Sequence, residues 1–215
     1  MPKYIANRWR WLLVAPAAIL SFGAASLWPS YASAPVSGQV LRVEEDWVLV
    51  VNDPNNNVTS PQFQTVMSPG VDLNGYYAQT LWNYRETPNF APGGVQLQSY
   101  VGETLIRTRS VESRILSTSA ETITWMQSLE TDGAILTFSV NNGQSTTWGT
   151  FGRDMSISST ANLPDLNQYD PSVSASNACV TFGGNRVESL VLKEVRYYGA
   201  SGLLAVDNTP RNACE

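Results

Sequence analysis

Histidine is absent from the entire chain of 215 residues. That removes the usual general base, the usual proton shuttle and the commonest metal ligand. A Ser-His-Asp or Cys-His triad is excluded, and so is a histidine-liganded zinc or haem site. Lysine is nearly absent too, with Lys193 the one lysine beyond Lys3. The first 35 positions hold Lys3, Arg8 and Arg10 and no acid, so the other ten basic and all eighteen acidic residues leave the remainder at −8. A surface of that sign repels phosphate backbones and argues against nucleic acid as a partner. Cysteine occurs twice, at Cys179 and Cys214. Outside the cytoplasm two cysteines usually pair, and a Cys179–Cys214 bridge contributes about 3 to 4 kcal/mol in the chain-entropy account. Two free thiols are the alternative.

What the chain does have begins with RWRWLLVAPAAILSFGAASLWPSYASAP, residues 8–35. Basic residues come first, apolar ones next and small ones last, which is an export signal. The positive-inside rule leaves the N-terminus in the cytoplasm and the bulk of the chain outside. Cleavage has an A-x-A site at Ala32-Ser33-Ala34, followed by the unfavourable Pro35, and another at Ser30-Tyr31-Ala32. Against cleavage stand the 18 uncharged residues from Trp11 to Trp28. A signal core is typically about 7 to 15 residues, whereas about 18 suffice for a span. Trp9 and Trp11 at one end, with Trp28 and Tyr31 at the other, form the aromatic belt of a membrane anchor. Pro16, Gly23 and the serines weaken that helix. Residues 1–34 are therefore read as an export signal or a retained single-pass anchor. Residues 35–215 are read as one domain, facing the periplasm from the inner membrane or secreted if the leader is cut.

Beyond residue 38 the pattern is strands and turns. Trp47 to Val51 is a short apolar run that follows Glu44, Glu45 and Asp46. Tyr76, Ala78, Thr80, Trp82 and Tyr84 share one face by period two. Val95, Leu97, Ser99 and Val101 alternate with Gln96, Gln98 and Tyr100. Ile123, Trp125, Gln127 and Leu129 form another set, with Trp125 in the core, and Leu136, Phe138 and Val140 a third. Asn142-Gly143 is a hairpin signal, with 146–151 as the returning strand. Residues 52–57, 87–94 and 162–172 read as loops. Residues 187–198 form a long final strand, with Val187, Val191, Val195 and Tyr197 on one face. Many short strands between Gly, Pro and Asn turns predict an all-β antiparallel sandwich behind one N-terminal apolar helix.

Two stretches add a resemblance. TWMQSLETDGAILTFSVNNGQ, residues 124–144, and LKEVRYYGASGLL, residues 192–204, are similar to strands of concanavalin A-like and laminin-G-like jelly rolls of exported bacterial proteins. Lys193 stands where those domains usually carry an acid. The resemblance covers about a sixth of the chain. It implies two antiparallel sheets with a concave face, carbohydrate binding as the commonest role, and in some members glycoside hydrolysis.

Paired carboxylates are the remaining catalytic route, and glycoside hydrolysis needs two of them about 5 to 9 Å apart. No E-x-D-x-x-E occurs. Glu188 and Glu194 lie six residues apart on one strand, roughly 20 Å at strand rise. Glu86 and Glu103 are not linked by any pattern. Calcium is the metal that oxygen ligands alone would hold, with Asp165, Asn167 and Asp170, or Asp53, Asn55 and Asn57, as candidates. Asx-turns account for the same residues. Tyr76, Trp82, Tyr84, Tyr197 and Tyr198 are the aromatic binding candidates, set against core packing. Lys193 on an apolar face marks an edge strand or an unpartnered catalytic lysine. The expectation is a non-catalytic extracytoplasmic sandwich that needs no cofactor. It would be a membrane-tethered accessory subunit docking on protein partners of an envelope assembly. A secreted carbohydrate-binding module and a carboxylate glycosidase are the alternatives.

Overall fold

A computed structural model of the chain describes residues 36–52, 63–82, 95–112, 121–146, 149–178 and 187–213. The expectations placed on Trp9, Trp11, Trp28, Tyr31, Asp53, Asn55, Asn57, Tyr84, Glu86, Cys179 and Cys214 lie outside the described residues. Among the described residues no helix is long and apolar enough to cross a membrane.

The elements run β1 (Arg42–Val51), β2 (Phe63–Met67), β3 (Tyr76–Trp82), β4 (Val95–Val101), β5 (Thr104–Glu112), β6 (Glu121–Thr131) and β7 (Ile135–Ser145). They continue with β8 (Gly149–Phe151), β9 (Met155–Thr160), α1 (Pro171–Asn177), β10 (Val187–Gly199), β11 (Gly202–Asp207) and β12 (Arg211–Asn212). Two antiparallel sheets result. The larger has the order β11-β10-β1-β6-β7-β8, with β12 also on β10 and β9 also on β7. The smaller is β2-β3-β4-β5.

Alternation builds the core between them. Val43, Trp47, Leu49 and Val51 of β1 are buried with Ile123, Trp125 and Leu129 of β6 and with Leu136, Phe138 and Val140 of β7. The smaller sheet supplies Phe63, Met67, Ala78, Trp82, Val95 and Leu97 to the same cluster. Each large side chain buried this way contributes roughly 1.5 to 3 kcal/mol. The ring of Trp82 lies 4.7 Å from that of Trp125 across the sheets, and Trp47 stacks on Trp125 at 6.2 Å. One flank is closed by β9, where Ser99 and Ser159 share a hydrogen bond of 3.0 Å and Arg109 Nη1 donates to the Ser156 carbonyl at 2.7 Å. The other is closed by α1, which packs on β2, β10 and β12.

Three sequence expectations change. The 162–172 loop ends in a helix, because the Asp170 carboxylate accepts from the Ser172 N–H at 2.8 Å and Pro171 starts the first turn. Seven residues are too few to show a 3.6-residue period. Asn142-Gly143 is not a hairpin turn. β7 runs through it, with Asn142 at φ 53° and a register shift against β6 between Thr124 and Met126. The glycine admits the Phe151 ring, since a Cβ there would lie 2.4 Å from its carbons. β8 does return against Gly143–Ser145, as the 146–151 stretch suggests, and β9 then resumes the pairing along Ile135–Val140.

The third change concerns β10, which is not the last strand. The register skips Lys193, pairing Asp46 with Glu194 and Trp47 with Leu192. This bulge resets the phase, so Leu190, Leu192, Val195 and Tyr197 form the buried face and Val191 turns outward. Lys193 is exposed, not inward on an apolar face. Glu188 is skipped as well, and it is exposed.

Candidate functional site

The sequence-predicted aromatic set divides. Tyr76, Ala78, Thr80 and Trp82 do share one face of β3, but it is the inner one. Trp82 is 0% exposed and Tyr197 is 4% exposed. Neither offers a ring to a sugar, which corrects their reading as surface residues: period two finds a face without saying which side is wet. Tyr76 is half-buried and its hydroxyl donates to the Thr160 carbonyl at 2.8 Å. Tyr198 lies half-buried on the outer face of the larger sheet.

The loop oxygens are already committed to the backbone. Asp165 accepts from the Asn167 N–H at 3.1 Å, Asn167 from the Val40 N–H at 2.9 Å, and Asp170 caps α1. These are the Asx-turn and capping roles, and they fix the loop to the start of β1. Among the described residues no group of three or more His, Cys, Asp or Glu is arranged to hold a metal ion.

Between the sheets lies an acid that the sequence reading passed over. Glu45 is 0% exposed. Its Oε2 accepts from Trp47 Nε1 at 2.8 Å and from Gln127 Nε2 at 2.6 Å, and its Oε1 accepts from the Tyr169 hydroxyl. Gln127 Oε1 in turn accepts from Thr65 Oγ1 of the smaller sheet at 2.8 Å. Burial pushes the Glu45 carboxyl above the ordinary carboxylate range, and the surrounding donors reverse this only in part. Burial, reinforced by the neighbouring Glu45 carboxylate, also holds the Tyr169 phenol well above its usual value. Every near group is a neutral donor, so the network ties β1, β6 and the segment before α1 together. The alternation V-E-E-D-W-V-L-V-V was the available signal, since it places Glu45 in phase with Val43, Trp47 and Leu49.

The opposite face of β1 carries the complementary arrangement. Arg196 Nε donates to Glu44 Oε2 at 3.0 Å, and its Nη1 and Nη2 donate to Asp46 at 2.6 and 3.0 Å. Nη1 also reaches Glu194. Hydrogen bonds donated to Asp46, then to Glu44 and Glu194, raise the guanidinium above its ordinary value against the effect of burial. Tyr198 donates to Glu44 at 2.9 Å, and the Arg42 guanidinium sits 4.2 Å above the Tyr198 ring. Glu44, Asp46 and Glu194 are each tied to Arg196.

The outer face of the smaller sheet differs from both. Its cross-strand rows are Tyr77–Tyr100–Leu105, Gln79–Gln98–Thr108 and Leu81–Gln96–Ser110. The two tyrosine rings stack at 4.9 Å and 4°. Gln79 Nε2 donates to Gln98 Oε1 at 2.7 Å, Tyr100 donates to the same oxygen at 2.6 Å, and Gln98 Nε2 donates to Gln96 Oε1 at 2.6 Å. Gln96 Nε2 ends the ladder on Ser110 at 3.2 Å. Tyr77, Tyr100, Gln79 and Gln98 are half-buried and Leu105 is exposed. The β2 register ends at Met67–Ala78, so no strand residue stands opposite Tyr77 on that side.

No family model matches the chain, and no curated protein does. The chemistry of the faces therefore carries the functional argument. Of the three polar groupings, the tyrosine and glutamine face alone combines partial exposure, aromatic surface and uncharged donors and acceptors. Sequence reading set Gln96, Gln98 and Tyr100 together on one side of a strand. It missed that this side is the outer one and that Tyr77 and Gln79 join it from β3.

Proposed function

We propose that the protein is a non-catalytic, exported jelly-roll-like sandwich, tethered by its N-terminal segment, that serves as an accessory binding subunit at the cell envelope. Its working surface is the outer face of the smaller sheet, and the partner chemistry that suits this face is a glycan. The single observation behind this reading is the Tyr77–Tyr100 stack beside the half-buried Gln79–Gln98 pair. Sugar hydroxyls exchange hydrogen bonds with primary amides in both directions, and aromatic edges and faces cover sugar C–H groups. The similarity of 124–144 and 192–204 to concanavalin A-like strands supports the same role by analogy. The tether rests on the charge-free run from Trp11 to Trp28.

The test is a glycan array probed with the full-length protein purified from native membranes. A hit should weaken at least about tenfold in Tyr100→Ala and in Gln98→Ala, each of which removes a group of the ladder. Silence of the wild-type protein across the array overturns the glycan assignment. Mass spectrometry of the same preparation reads the tether separately: recovery solely as a soluble chain lacking residues 1–34 removes it.

A further inference from the structure

The β10–β11 hairpin is the largest cluster of exposed apolar side chains among the described residues. Leu203 is 54% exposed, Leu204 39% and Val206 42%. Leu203 pairs with Tyr198 and Val206 with Arg196 on the outer face, while the register skips Leu204. The described chain begins beside this hairpin. The Leu204 methyls lie against Gly38, 3.6 Å from where its Cβ would stand, and the Leu41 N–H donates to the Tyr198 carbonyl at 2.8 Å. Trp28, the last residue of the apolar run that starts at Trp11, is eight residues before Val36, and eight residues span at most about 28 Å. A run embedded in a bilayer thus keeps the lipid within reach of this end of the domain.

We infer that the β10–β11 hairpin is a lipid-docking element, with Leu203, Leu204 and Val206 entering the head-group region of the same bilayer that holds the N-terminal segment. The inference rests on the tethered reading above. Arg42 and Tyr198, stacked beside Leu203, supply the basic and aromatic neighbours that sit at the level of lipid head groups. The acidic body of the domain favours electrically neutral lipid over an anionic surface. A second copy of the chain is the weaker occupant, because three side chains fall well short of the roughly 800 Å² per partner of a stable protein interface.

The experiment uses the full-length protein in phosphatidylcholine vesicles containing a photoactivatable acyl-chain diazirine, with adducts mapped by mass spectrometry. Adducts are expected on the peptide covering 199–207 as well as on the 11–28 run. Leu203→Ser/Leu204→Ser should reduce the hairpin adducts by about fivefold or more while leaving those on the run unchanged. Adducts on the run with none on the wild-type hairpin overturn the inference and leave the tether intact. Failure of the protein to float with the vesicles removes the tether and the inference together. Hairpin-to-hairpin protein crosslinks in place of lipid adducts assign the patch to a second copy and also overturn it.

Discussion

Glu44 and Glu45 are consecutive in the sequence and opposite in environment. Glu44 points outward into a cluster where Arg196, Arg42 and Tyr198 all reach its carboxylate or one another. Glu45 points inward, meets no cation, and is held by neutral donors from Trp47, Gln127 and Tyr169. One acid is paired with arginines, and the other is driven toward its protonated form by burial. The pleat of β1 alone makes the difference, since successive side chains leave a strand on opposite sides. The lesson is that a charge run in a strand is two populations, one on each face.

Breaking the inner acid should have the largest effect. Glu45→Ala leaves three donors without their acceptor between the sheets and should cost about 3 kcal/mol, read as a lower urea midpoint with the slope unchanged. Breaking the outer cluster should cost less because it is partly solvated. Arg196→Met leaves Glu44, Asp46 and Glu194 facing one another and should cost about 1 to 2 kcal/mol, with the deficit narrowing in 0.5 M salt, as expected for about a 4 Å Debye length. The gentlest change sharpens the contrast. Glu45→Gln keeps an acceptor for Trp47 and Gln127 and should lie within about 1 kcal/mol of the parent at neutral pH. The folded carboxyl of Glu45 lies above its ordinary 4.5, so the folded state binds its proton more tightly than the unfolded chain. The parent should therefore lose stability as pH rises from 4.5 through the raised value and regain it on acidification. A series of thermal melts across that window should show this slope in the parent and its loss in Glu45→Gln.

The parts of the fold that could be read beforehand are those where alternation was unbroken. β4, β6 and β7 place Leu97, Trp125 and Phe138 inward as their period demands. Reading failed where backbone irregularity resets the phase. The skipped Lys193 inverts the assignment of Val191, and Asn142 has a positive φ without Gly143 sharing it, so the type I′ turn is not made and β7 continues. Strands β2 and β5 went unread, since FQTVM is too short and TLIRTRSVE too exposed to declare a face. The candidate surface was half legible, because a single strand shows that Gln96, Gln98 and Tyr100 go together. Only sheet pairing adds Tyr77 and Gln79 and shows that Trp82 is on the other side.

The thread from Thr65 through Gln127 to Glu45 and Tyr169 constrains how the two layers meet. An oily interface tolerates sliding, because one methyl group serves nearly as well as another. Directional bonds do not, and a shift of one position would strand each of these groups among hydrocarbon. The acid in the middle of the molecule thus acts as an alignment key, selecting one stacking of the layers over its near neighbours.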